Sequence, residues 1–145
     1  MANIPESGIY EKGKLDFINV LSEALKRDPG KDGIILYYIG TVKDLSRDGK
    51  KVKQLYIEAY EELANKKLKE ICYDTVNKFM VNECRIYHFS GYFSPGETLV
   101  FAIIWSRDRS QGLSALPYVI ERYKKEPTIW KKEIYEDGTS KWLEE

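Results

Sequence analysis

The segment Ser94-Pro95-Gly96-Glu97 constrains the fold of this chain more than any other. Proline presets the backbone for the second position of a tight turn, and glycine supplies the positive φ that other residues avoid. On either side, residues 85–93 and 98–107 are rich in Ile, Val, Phe and Tyr. Two such strands joined by so short a connection must lie antiparallel. A second turn signal, Glu136-Asp137-Gly138, separates residues 128–135 from 140–143 and predicts another hairpin. Hairpin signals outnumber parallel crossovers.

The remaining segments fill in around these hairpins. Residues 33–42 form a run of Ile, Leu and Tyr that predicts a buried strand, with Gly40 allowing a bulge or a close backbone approach. Residues 52–60 alternate in the manner of a strand with two distinct faces. Helical periodicity covers residues 15–26, 61–80 and 110–125. Pro117 is expected to kink the last of these or to start its main body. Residues 1–14 read as an irregular lead-in. Residues 43–51 read as a mobile loop turning at Asp48-Gly49. The order predicts one α+β domain over residues 1–145, with a largely antiparallel sheet and helices packed on one side of it. Trp105 and the apolar strands offer more sheet surface than three helices readily cover, which predicts a homodimer.

Charge and cysteine usage exclude several functions. Lys plus Arg and Asp plus Glu balance at 23 each, so no large basic surface for duplex DNA is expected. No RNP-like aromatic motif supports RNA binding. Cys72 and Cys84 stand twelve residues apart with one histidine in the chain, which does not make a zinc site. Cys72 falls on the apolar side of a helix and is expected to be a buried thiol. Neither an apolar stretch of membrane-spanning length nor a signal-peptide pattern is present. A cytoplasmic protein with no membrane and no nucleic-acid partner is expected.

Positive charge gathers instead at element boundaries. The segment Lys124-Lys125-Glu126-Pro127-Thr128-Ile129-Trp130-Lys131-Lys132-Glu133 places four lysines about a proline-broken turn. Such a turn can aim Lys124, on the last helical turn, and Lys131, at the start of a strand, at one point. Two amines there suit an anionic substrate or a reaction that uses an amine. The alternative is a solvated turn whose cations favour a helix C-terminus. Gly40-Thr41-Val42-Lys43 lacks the phosphate-loop pattern but ends a strand where backbone N–H groups can face an anion. Ser106-Arg107-Asp108-Arg109-Ser110 runs into a helix N-terminus, a second place that attracts anions or simply a cap. His88 lies mid-strand and reads as structural rather than catalytic. Convergence of Lys124, Lys131 and Arg109 would make a phosphate or carboxylate pocket with lysine as its reactive element.

The residues carry a family resemblance between about residues 33 and 143. It rests on Gly40-Thr41-Val42-Lys43-Asp44, on Leu55-Tyr56-Ile57-Glu58-Ala59-Tyr60, on His88-Phe89-Ser90-Gly91 with Pro95-Gly96-Glu97, and above all on Pro127-Thr128-Ile129-Trp130-Lys131-Lys132-Glu133 with Glu136-Asp137-Gly138 and Trp142. In their order and spacing these resemble the large, catalytic subunit of molybdopterin synthase. The resemblance implies an α/β hammerhead fold and a homodimer. It implies a small ubiquitin-like sulfur-carrier partner whose C-terminal Gly-Gly thiocarboxylate enters the large subunit, giving a heterotetramer. Two sulfur transfers would convert cyclic pyranopterin monophosphate into the dithiolene of molybdopterin, with no metal or organic cofactor. By the same resemblance Lys124 and Lys131 are catalytic, and Thr41, Val42, Lys43, Asp108, Arg109, Lys132 and Glu133 bind substrate. Lys43 stands where the family usually has arginine, and Asp108 where it usually has histidine. These departures leave a second reading, a catalytically reduced paralogue that binds the carrier tail.

Overall fold

The computed structural model describes residues 3–144, in the order β1 (Gly8–Glu11), α1 (Phe17–Ala24), β2 (Ile34–Thr41), β3 (Val52–Ala59), α2 (Glu61–Phe79), β4 (Glu83–Phe93), β5 (Thr98–Ser106), α3 (Arg109–Lys125), β6 (Ile129–Tyr135) and β7 (Ser140–Trp142). The strands form a seven-stranded sheet in the order β2-β5-β4-β3-β6-β7, with β1 beside β4. The two expected hairpins, β4–β5 and β6–β7, are both antiparallel. The fold is mixed α+β, with a large, mostly antiparallel sheet and three helices packed on it.

Three expectations need correction. The lead-in is not wholly irregular, because Gly8–Glu11 pairs in parallel with β4, Gly8 opposite Tyr87 and Glu11 opposite Ser90. Four residues are too few for a periodic signal, and the pairing is decided by an edge the distant strand β4 presents. Met1 and Ala2, also part of that lead-in, lie outside the described residues.

The helices also do not share one side. Trp105 donates its indole N–H to the Ala24 carbonyl at 2.9 Å, and Phe17 packs edge-on against Phe101 at 5.1 Å. These place α1 on the face of β5 that carries its odd-numbered residues. On the other face, Gly112 of α3 lies so close to Ile34 that a Cβ would stand 2.8 Å from its Cδ1. Leu99 to Ser106 are all buried, so β5 needs cover on both faces. Trp105 is fully buried under α1 and therefore offers no surface to a second subunit.

Residues 43–51 are not an unanchored loop. Leu45 bridges to Lys51, and the Val52 N–H donates to the Asp44 carbonyl at 2.8 Å. The Lys50 ammonium lies 3.4 Å from Asp137 and over the Tyr135 ring at 5.0 Å. This small hairpin thus leans on the β6–β7 turn, whose position no local pattern reveals. Gly40 behaves as expected: the β2–β5 register shifts between Gly40 and Thr41, and a Cβ on Gly40 would stand 2.7 Å from Val100 Cγ1. Pro117 sits inside a continuous α3 that already begins at Arg109, so it does not start the main body of the helix. Among the described residues, no helix is long and apolar enough to cross a membrane.

Candidate active site

The lysine turn connects α3 to β6 and is held from both sides. Arg122, one turn before the helix ends, donates to both oxygens of Glu126 at 2.7 Å each. The Tyr60 N–H donates to the Thr128 carbonyl at 3.0 Å, and the Thr128 hydroxyl donates back to the Tyr60 carbonyl at 3.2 Å. The turn is therefore stapled to the junction of β3 and α2, and both of its ends have a defined direction.

Between those ends opens a cleft of about 310 Å³, lined by Lys124, Lys131, the intervening turn, Tyr123, Leu143 and His88. Lys124 is exposed at its rim and Lys131 is partly buried. Strand alternation explains the selection of Lys131. Lys132 pairs with Tyr56 and Trp142 and turns to the opposite face, its ammonium 5.3 Å from the Trp142 ring centre. Glu133 accepts the Tyr135 hydroxyl at 2.9 Å.

His88, read from the sequence as structural rather than catalytic, also belongs to the cleft wall. It is only 1% exposed, yet it borders the cleft. Its Nδ1 lies 3.1 Å from the Phe89 carbonyl oxygen. A carbonyl only accepts, so Nδ1 carries the hydrogen and Nε2 is left as an acceptor. Burial, and after it the charge of nearby Lys131, push the imidazole down to about 3. The ring is therefore neutral at physiological pH. Its contact with Tyr123, 6.4 Å between ring centres in an edge-on arrangement, crosses from β4 to α3. The His88-Phe89-Ser90-Gly91 motif marks this histidine in the sequence, but only long-range packing makes it part of the cleft.

The other candidates lie elsewhere. Arg109 begins α3 and Lys124 nearly ends it; a rise of 1.5 Å per residue separates them by about 22 Å. The three-way convergence on Arg109 therefore fails within this chain. Asp108 occupies the N-cap position of α3 with extended backbone, but its side chain makes no capping hydrogen bond. Thr41 and Lys43 are exposed. Val42 is buried and tied to the β4–β5 turn, its N–H donating to the Glu97 carbonyl at 3.0 Å. Across the sheet, Gly40, Val100 and His88 form one row, so the Thr41–Lys43 segment leaves the sheet near the end where the cleft opens. A larger groove of about 610 Å³ runs past Tyr56, Tyr60, Ser90 and Gly91. Its one cation, Lys12, is engaged by Glu97 at 2.8 Å, so it lacks the paired amines of the smaller cleft.

The domain is thus mostly antiparallel α+β and presents two lysines in one cleft beside a buried neutral histidine. The chain is a member of the MoaE protein family, whose profile matches residues 11–126. It is 34% identical over 141 residues to the molybdopterin synthase catalytic subunit of Bos taurus, covering 92% of this chain and 74% of that one. With the molybdopterin synthase catalytic subunit of Bacillus subtilis it shares 35% over 125 residues, 86% of this chain and 76% of the relative. Among solved structures, molybdopterin synthase from Staphylococcus aureus superposes with a TM-score of 0.85 at 27% identity, covering 99% of this chain and all (100%) of the other. A protein–protein complex of subunits 1 and 2 of the molybdopterin-converting factor from Helicobacter pylori contains the same fold, with a TM-score of 0.73 at 16% identity, covering 99% and 90% of the two chains.

Proposed function

We propose that this chain is the catalytic subunit of a molybdopterin synthase, a sulfurtransferase, and that the cleft between Lys124 and Lys131 is where sulfur is transferred. The carrying observation is that a helix end and a strand start deliver two amines to one cleft of about 310 Å³. The substrates of the reaction are anions: a cyclic pyranopterin monophosphate and the thiocarboxylate at the C-terminal Gly-Gly tail of a small ubiquitin-like carrier.

In this reading the carrier tail lies along the turn and its sulfur attacks a carbon of the pterin side chain. A carbon–sulfur bond forms as a carbon–oxygen bond at the same carbon breaks, the oxygen departing on the phosphate or, with protons, as water, and the sulfur remains joined to the carrier's acyl group. Water then cleaves that acyl link, leaving the sulfur on the pterin and a carboxylate on the carrier. A second carrier repeats the sequence at the adjacent carbon. Lys131, the less exposed amine, stabilises the oxyanion of the hydrolytic step, where a fixed positive charge acts most strongly. Lys124 at the rim holds the anionic tail or the phosphate. His88 stays neutral beside Lys131. Arg109, Asp108 and the Thr41–Lys43 segment remain proposed substrate-binding positions outside this cleft, and Lys132 and Glu133 flank it on β6.

The same reading includes a homodimer. Tyr92, Tyr56, Lys132 and Trp142 form a row across β4, β3, β6 and β7. Tyr92 and Trp142 are 53% and 46% exposed, and Tyr56 lies 4.6 Å and 6.3 Å from their ring centres. This aromatic row is the proposed contact, and sedimentation of the wild-type chain and Tyr56→Glu at micromolar concentration tests it.

The function is tested by incubating the protein with thiocarboxylated carrier and the pyranopterin substrate and assaying dithiolene formation. Product is expected, and its loss in Lys131→Ala supports the site. Carrier binding without turnover by the wild-type protein overturns this reading in favour of a tail-binding paralogue.

A further inference from the structure

The strand that carries Lys131 is held differently along its two edges. On the inner edge β6 pairs with β3 over its whole length, Lys131 lying opposite the buried Ile57. On the outer edge lies β7, only three residues long, which pairs from Ile134–Ser140 to Lys132–Trp142. One contact continues beyond this short ladder. The Leu143 N–H donates to the Lys131 carbonyl at 2.8 Å, so the outer support of β6 reaches one residue farther, to Lys131 itself.

The side chains of this segment divide between the two faces of the sheet. Trp142 shares the face of Lys132, whose ammonium lies 5.3 Å from the indole ring centre. By alternation Leu143 turns to the face of Lys131. It is half-buried, packs against the core, and lines the cleft together with Lys131, Ile129 and Tyr123. Leu143 therefore meets Lys131 twice, through a backbone hydrogen bond and as neighbouring cleft wall. An apolar wall beside an amine keeps water away, and a charge acts more strongly where water is excluded. The three residues of β7 are themselves exposed, so the strand contributes little apolar burial to the fold. Lys124 belongs to the end of α3, and its placement does not depend on β7.

We propose, resting on the reading of this cleft as the place of sulfur transfer, that Leu143 is a positioning residue for Lys131. Its N–H fixes the Lys131 backbone at the outer edge of β6, and its side chain keeps the amine against the cleft wall. Lys131 acts in that reading on the oxyanion of the hydrolytic step. A group that works through its charge must stand at the right distance, and a misplacement of about 1 Å can cost roughly a hundredfold. Loosening Leu143 therefore slows turnover. It leaves carrier binding, which the rim amine of Lys124 serves, nearly as it was.

Wild type is compared with Leu143→Met, Leu143→Ala and Leu143→Pro. Methionine keeps the N–H and the apolar bulk, alanine keeps only the N–H, and proline keeps neither. Dithiolene formation is followed against carrier concentration, beside thermal melts. Leu143→Ala should lose roughly tenfold in kcat and Leu143→Pro more, with KM for the carrier within about twofold of wild type. Leu143→Met should recover most of the rate. A second measurement does not depend on activity: trace labelling with acetic anhydride, followed by peptide mapping, compares Lys131 with Lys124. Lys131 should react faster in Leu143→Ala and Leu143→Pro than in wild type, and Lys124 at an unchanged rate. Unchanged kcat and labelling in the alanine and proline variants overturn the proposal. So does equal acceleration at both lysines, which means general loosening, or a loss in kcat that Leu143→Met shares. Should Leu143→Pro fail to fold, the alanine and methionine variants decide. Should the wild type form no dithiolene, the sulfur-transfer reading fails, and the labelling alone shows whether Leu143 holds Lys131.

Discussion

Arg122 grips Glu126 through two hydrogen bonds, from Nε to one carboxylate oxygen and from a terminal nitrogen to the other, each 2.7 Å long. The same guanidinium reaches Asp74 of α2 and the Tyr118 hydroxyl, also at 2.7 Å. It thereby fastens the end of α3, where Lys124 sits, to its neighbour helix. Arg122→Ala should lower stability by about 1–3 kcal/mol, as loss of hydrogen bonds to charged groups does. Arg122→Lys should recover only part, since an ammonium cannot make the two-pronged contact. Urea denaturation of the three proteins measures this. Arg122 also holds the Glu126 carboxyl below the usual carboxylate range. The pair's contribution should therefore be complete above that range and fade as pH falls through the lowered value of the folded state. Partial exposure of Glu126 keeps this pH effect small.

His88 imposes its own pH dependence. Its folded-state value near 3 lies below the ordinary 6.5. Above about 6.5 neither folded nor unfolded chain is protonated there, and the buried ring costs nothing further. Between about 6.5 and 3 the unfolded chain takes up a proton that the folded chain refuses, so stability falls by up to about 1.4 kcal/mol for each pH unit. His88→Gln should remove this slope. The stability difference between wild type and variant should therefore shrink between pH 7 and pH 4 in urea titrations. A constant difference would show that His88 titrates normally.

Lys131→Ala should retain the fold and lose roughly a hundredfold or more in dithiolene formation. Lys124→Ala should behave similarly, with a larger effect on the carrier concentration needed for half-maximal rate. Asp108→His, off the cleft and without a capping hydrogen bond to lose, should leave activity unchanged or raise it. Turnover assays beside thermal melts check all three, and near-normal turnover by Lys131→Ala would remove its catalytic role.

Gly33, just before β2, lies against the backbone of Arg107, just after β5. A Cβ there would overlap the carbonyl oxygen of Arg107, a backbone atom that cannot move aside cheaply. Gly33→Ala should destabilise the protein by about 1–3 kcal/mol, as overpacking does. Differential scanning calorimetry would register this as a lowered Tm. Gly30→Ala, where nothing lies within 4 Å but φ is +87°, should lose stability through backbone strain alone.

Local chemistry decided a good deal before any packing was known. The Ser94–Glu97 turn and the flanking apolar runs specify the β4–β5 hairpin, because turn geometry and strand period are properties of neighbouring residues. The same is true of α2, whose apolar stripe through Ala64, Leu68, Ile71 and Cys72 is buried as its spacing requires. The lysine turn was visible as a cluster of charge at an element boundary. What the turn faces was decided only in three dimensions. His88 reaches the cleft because its ring meets Tyr123 of α3 edge-on, and Arg109 is kept from it by the length of the same helix that carries Lys124. β1 joins the sheet through an edge offered by residues some eighty positions away, and α1 crosses to the other face because β5 is apolar on both. Short-range steric and turn preferences act between adjacent residues and are written in sequence. Burial, register and the gathering of distant side chains depend on which surfaces meet, so they are settled only when the whole chain has packed.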